Sequence, residues 1–119
     1  MKASMREAMA MHAIHGVARV ALRLQSPYAA RRTLDSLASW LRPFENVDEA
    51  RAAGRTLARR GTCLSRSVAI AARLPGSKVV IGIDVRRSSQ MLAHAWVQLG
   101  NDVVFPVKPT MLDDAIASF

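Results

Sequence analysis

The apolar spacing changes once along this chain, at "LPGS", Leu74 to Ser77. Up to Leu74 apolar residues recur at steps of three and four. Beyond it "KVVIGIDVRR" is β-branched and reads as a strand. A 3.6-residue period cannot run on into a two-residue period, so one element has to end there and the fold has to change from helix to sheet. Helices first and an antiparallel sheet second predict an α+β fold. The length of 119 residues suits one domain, with a helical part over 1–60 and a helix plus sheet over 61–119.

The helical part divides at its caps. Ile14, Val17, Ala18, Ala21 and Leu24 fall on one stripe of a first helix that ends near Leu24. Ser26 caps a second helix with Pro27 at its first position, and Pro43 stops it. Asn46 caps a third, with Glu49 answering as in a capping box and Asp48 adding negative charge at the positive end. After the first strand, "LAHAWVQL" and "VVFPVK" form a hairpin around Gly100, Asn101 and Asp102. In "PTMLDDAIASF", Thr110 is placed to cap a short last helix with Asp113 at the third position. No internal repeat or linker interrupts this order.

The formal charge of +8 comes from scattered arginines. No acidic residue lies between Ala50 and Ile83, where Arg51, Arg55, Arg59, Arg60, Arg66, Arg73 and Lys78 stand. Such a surface favours an acidic partner, against the plainer reading of a solvated helix face. Nucleic acid is not the expected partner, because the few aromatic residues are not interleaved with the basic ones as a stacking platform requires. His12, His15, Arg19 and Arg23 interrupt the apolar N-terminal run, so neither a signal core nor stable membrane insertion is expected, although the segment is basic and amphipathic. A single cysteine forms no internal disulfide and excludes four-cysteine zinc frameworks, which points to the reducing cytoplasm.

That cysteine, Cys63, follows Thr62, a good N-cap, and opens a helix whose buried stripe takes in Leu64, Val68, Ala71 and Leu74. Unpaired N–H groups and the macrodipole at a helix start favour negative charge, which suits a nucleophilic thiolate. A lone cysteine can equally be a small buried hydrophobe. His94, in "AHAWVQ" on a following strand, is the side chain suited to take a thiol proton near neutral pH, and the two make a candidate dyad.

"CLSRSVAIAARLPGSKVVIGIDVR" followed by "AHAWVQLG" resembles the B2-type cysteine peptidases of lasso peptide biosynthesis, within the transglutaminase-like superfamily. The likeness runs from about Thr62 to Gly100, and the helical first half with "LRPF" is compatible with it. It implies a papain/transglutaminase-like core of one helix on a small antiparallel sheet, with Cys63 as nucleophile and His94 as general base. It also implies a ribosomally made precursor peptide as substrate, from which the leader is removed. The segment before the third helix shows no strand pattern for a fused recognition module, so a separate leader-recognition protein is expected, with a cyclase as a further partner.

The family orients the imidazole with an Asp on the next strand. A hairpin centred on Gly100 and Asn101 pairs positions whose numbers sum to about 200 to 202, which puts Pro106, Val107 or Lys108 across from His94. None is a carboxylate. Asp102 lies at the far end of the hairpin, roughly 16 Å away at 3.3 Å per residue, and reads as a turn residue. Asp113 and Asp114 could fold back. Three readings stand: a dyad oriented by a backbone carbonyl or by Gln98, Gln90 or Asn101; a weakened or non-catalytic adaptor that holds an acidic peptide or protein; or an irregular hairpin, since Pro106 cannot donate to a ladder and implies an edge or bulge.

Other constellations are weaker. His12 and His15 are three apart with only Glu7 near them, so no metal site is expected. Gly54, Gly61 and Gly76 read as dispersed caps or turns, not a phosphate loop, and no cofactor is implied.

Overall fold

Ser26 Oγ accepts from the Ala29 N–H at 3.2 Å, and Asn46 Oδ1 from the Glu49 N–H at 2.9 Å. These two caps divide the helical part of the computed structural model, which describes residues 5–84, 92–105 and 114–119. Helix α1 spans Met5–Leu24, α2 Pro27–Ala38 and α3 Val47–Thr56, followed by α4, Cys63–Ala72. Strands β1 (Lys78–Asp84), β2 (Leu92–Leu99), β3 (Asp102–Phe105) and β4 (Asp114–Ser118) form an antiparallel sheet in the order β3-β2-β1-β4. The fold is α+β.

Several local expectations need correction. α2 ends at Ala38, before Pro43, and turn residues carry the chain on. The Glu49 carboxylate accepts from the Glu45 N–H at 2.8 Å, one residue before the Asn46 cap it was expected to answer. Within the expected last helix, Asp114–Ser118 is instead a strand that pairs with the free edge of β1, Ala117 opposite Ile81 and Ser118 opposite Val80. An open sheet edge offers a ladder of unpaired backbone groups, and that outweighs the propensity of a short segment. Thr110 and Asp113 lie outside the described residues. On α1, Val17 and Leu24 are exposed, and the buried stripe is Met11, Ile14, His15, Ala18 and Ala21.

Helix α4 is central, packing on the other three helices and on β1 and β2. Val68, Ala69, Ile70 and Ala71 are fully buried there, and Val79, Val97 and Val104 meet the same core from the sheet. Gly54 sits inside α3, neither cap nor turn. A Cβ there would stand 2.3 Å from the Phe105 ring, so the glycine is what lets β3 close on α3. Arg51 ties the same elements by donating to the Val103 and Val104 carbonyls at 3.2 and 3.3 Å.

Arg73 is 2 % exposed. Its guanidinium pairs with Glu7, donates to the Arg42 carbonyl at 2.7 Å and lies 4.6 Å from the centroid of the Phe44 ring. Arg51 and Arg73 therefore leave the expected docking surface. Their donors are spent inside the fold, because a buried guanidinium needs acceptors for its fork of N–H groups.

Candidate active site

Cys63 is the first residue of α4. Thr62 Oγ1 accepts from the Ser65 N–H at 3.1 Å, and Ser65 Oγ accepts from the Thr62 N–H at 3.0 Å, a reciprocal capping box. It fixes the turn that presents the thiol, which is half-buried and in no disulfide. The Cys63 N–H is one of the first amides of the helix, which have no intrahelical partner and stay available to a developing oxyanion.

Behind this turn lies a contact that the spacing did not reveal. His15 of α1 is 3 % exposed and its Nε2 is 2.9 Å from Ser65 Oγ. The hydroxyl donates to the Thr62 carbonyl at 3.0 Å and already accepts from Thr62 N–H, so its remaining lone pair takes the His15 Nε2–H. Burial lowers the His15 pKa from 6.5, and the positive charges of Arg19, Arg66, His12 and Arg60 lower it further, which keeps the ring neutral. Gly61, with φ of 62°, completes the packing: a Cβ would meet Ser65 Oγ at 2.6 Å and His15 Nε2 at 2.8 Å. The only signals for this were the Thr62-x-x-Ser65 pattern and one histidine beside an apolar stripe. His12 and His15 are separated by role, and among the described residues no cluster of three or more His, Cys, Asp or Glu side chains could hold a metal.

His94 lies in β2, opposite Gly82 of β1, so no side chain faces it across that pair. Trp96 pairs with Val80 and Val97 with Val79. Side chains alternate along a strand, so His94 shares its face with Trp96 and Gln98, whereas Val97 points to the core shared with the helices. Helix α4 packs on β2, yet among the described residues no hydrogen bond involves the side chain of either His94 or Cys63.

Gln98 does not orient the imidazole, because its carbonyl accepts from Trp96 Nε1 at 3.1 Å and its amide donates to the Gly100 carbonyl at 3.0 Å. Asn101 is exposed in the turn, and Asp102 pairs with Leu99 at the far end of the hairpin. Leu99 with Asp102, Gln98 with Val103 and Val97 with Phe105 follow the expected register, with a bulge before the last pair that makes the hairpin irregular on the approach to Pro106. Pro106, Val107, Lys108 and Gln90 lie outside the described residues.

A capped helix that opens on a half-buried cysteine, packed on an antiparallel sheet whose central strand carries a histidine, is an arrangement suited to thiol chemistry. The family model of the Transglutaminase-like superfamily matches residues 3–113, and the chain belongs to that superfamily. No curated protein and no solved structure matches it. No helix among the described residues is long and apolar enough to cross a membrane.

Proposed function

We propose that the protein is a cysteine peptidase that removes the leader from a ribosomally synthesised precursor peptide in lasso peptide maturation. The observation that carries this reading is Cys63 at the first position of a reciprocally capped helix in a chain of this superfamily. Cys63 attacks the scissile carbonyl as thiolate, its own N–H supports the oxyanion, and His94 takes the thiol proton and returns it to the leaving amine. Water then releases the acyl-enzyme. A separate recognition protein delivers the leader, a cyclase consumes the freed core peptide, and the reaction belongs in the cytoplasm. Cys63→Ala is expected to abolish cleavage of a precursor peptide with an unchanged unfolding temperature. Undiminished turnover in that variant refutes the assignment.

One observation favours a second reading. His94 stands on the sheet face opposite the helical core, with no bond to the thiol, as suits a non-catalytic adaptor that holds an acidic partner. Alkylation of Cys63 across neutral pH separates the two readings. The peptidase requires a reactive thiol that slows when His94→Ala is introduced, and the adaptor requires one indifferent to it.

A further inference from the structure

The arginines of this protein divide by what they touch. Arg31 pairs with Asp35, Arg42 with Glu49 and Arg73 with Glu7, while Arg51 is held by carbonyls. Arg19, Arg60 and Arg66 have no ion pair among the described residues, and they converge. Arg19 is one turn after His15 on α1, Arg66 follows Ser65 on α4 and Arg60 precedes Gly61, while His15, Ser65 and Gly61 are in mutual contact. Arg66 also has a buried Nε with no hydrogen-bond partner, its guanidinium lying 5.9 Å from the Phe105 ring centroid. All three charges, together with that of His12, act on His15. Gathered like charges cost stability, so a cluster that makes no ion pair among the described residues suits an anion that binds from outside.

We propose that Arg19, Arg60 and Arg66 form a carboxylate-binding site beside the Cys63 turn of α4, which recognises acidic side chains of a peptide. With the peptidase reading, on which this part rests, the peptide is the substrate, and the site selects precursors with Asp or Glu near the scissile bond. Guanidinium groups suit this task because their fork of donors matches a carboxylate. Arg19 and Arg60 are exposed and reach the ligand, whereas Arg66 presents its donors from the floor.

The test is a calorimetric titration of the full chain with a short peptide of alternating Glu and Ala, against its Gln and Ala counterpart, at low and high salt. The wild type is expected to bind only the acidic peptide. Arg19→Gln with Arg60→Gln should weaken binding about threefold to tenfold. Arg6→Gln with Arg32→Gln, which removes the same charge from residues outside the cluster, should leave it within about twofold. Equal loss in both double variants, or no binding by the wild type, overturns the proposal. Tighter binding of a single-stranded oligonucleotide of equal charge also overturns it, in favour of a phosphate backbone. Failure of the peptidase reading looks different: the acidic peptide binds the wild type and Cys63→Ala alike, and neither alkylation nor cleavage shows an active thiol.

Discussion

Cys63 and His94 rest on supports of different kinds. Around Cys63 the backbone is held from several directions: the capping box of Thr62 and Ser65 fixes the first turn, His15 holds Ser65 from α1, and Gly61 leaves room for both. His94 has a fixed backbone, with β2 paired on both edges, and a side chain that no hydrogen bond holds among the described residues. Rigidity of the thiol side does not depend on the histidine side. A nucleophile can be positioned by its own helix, whereas a general base becomes directional only when a second group fixes its ring. The order of dependence follows: changes behind α4 should move stability first, and changes at His94 should move reactivity alone.

The sharpest way to break this contrast is to remove the buried guanidinium that ties α1 to the end of α4. Arg73→Met keeps the bulk of the side chain but takes the guanidinium away from the Glu7 carboxylate and from the Arg42 carbonyl to which it donates. Breaking such a pair from one side costs about 3–4 kcal/mol, read as a shift in the urea midpoint. His94→Ala should move the same midpoint by less than about 1 kcal/mol, since no bond is lost. Comparable losses would show that the sheet side is as strongly braced as the helical side.

A smaller effect separates the turn before Cys63 from an ordinary turn. Gly61 and Gly100 have nearly the same backbone, φ of 62° and 61°, but a Cβ at Gly100 meets nothing within 4 Å. Gly100→Ala should cost about 1 kcal/mol from the left-handed conformation alone, and Gly61→Ala about 2–3 kcal/mol because Ser65 and His15 must also give way. Equal costs would mean that the packing behind the thiol is soft.

Sequence patterns showed the helical half well because caps are local. Ser26, Asn46 and Thr62 each meet their partners within three residues, so side-chain chemistry and spacing determine them. The switch to sheet at Leu74 was legible for the same reason, and so were Cys63 at a helix start and the hairpin register. What stayed hidden depends on distant partners. β4 forms because β1 has a free edge, Arg73 is buried because Glu7 and Phe44 come to it, and His15 matters because Ser65 lies fifty positions on. The face on which His94 stands follows from alternation with Val97, which lies in the core under the helices, and a hairpin argument limited to register did not include that.

The smallest expected effect sharpens the comparison by titration. Burial first, and then the charges of Arg19, Arg66, His12 and Arg60, place the His15 pKa below its ordinary 6.5. The unfolded chain therefore takes up a proton that the folded chain resists. The resulting stabilisation is fully present above about pH 6.5 and is lost as pH falls from there through the lower folded value. The bond to Ser65 is not what fails, since a protonated ring still donates from Nε2; the cost lies in charging a buried ring among arginines. The Glu49 carboxylate, held low by the Glu45 N–H and Arg42, titrates below 4.5 and does not overlap this window. His15→Gln keeps a donor for Ser65 and removes the titration. Between about pH 7.5 and 5.5 the unfolding temperature should fall more steeply in the wild type than in His15→Gln. Parallel slopes would show that His15 is not the group that makes the helical support of Cys63 sensitive to acid.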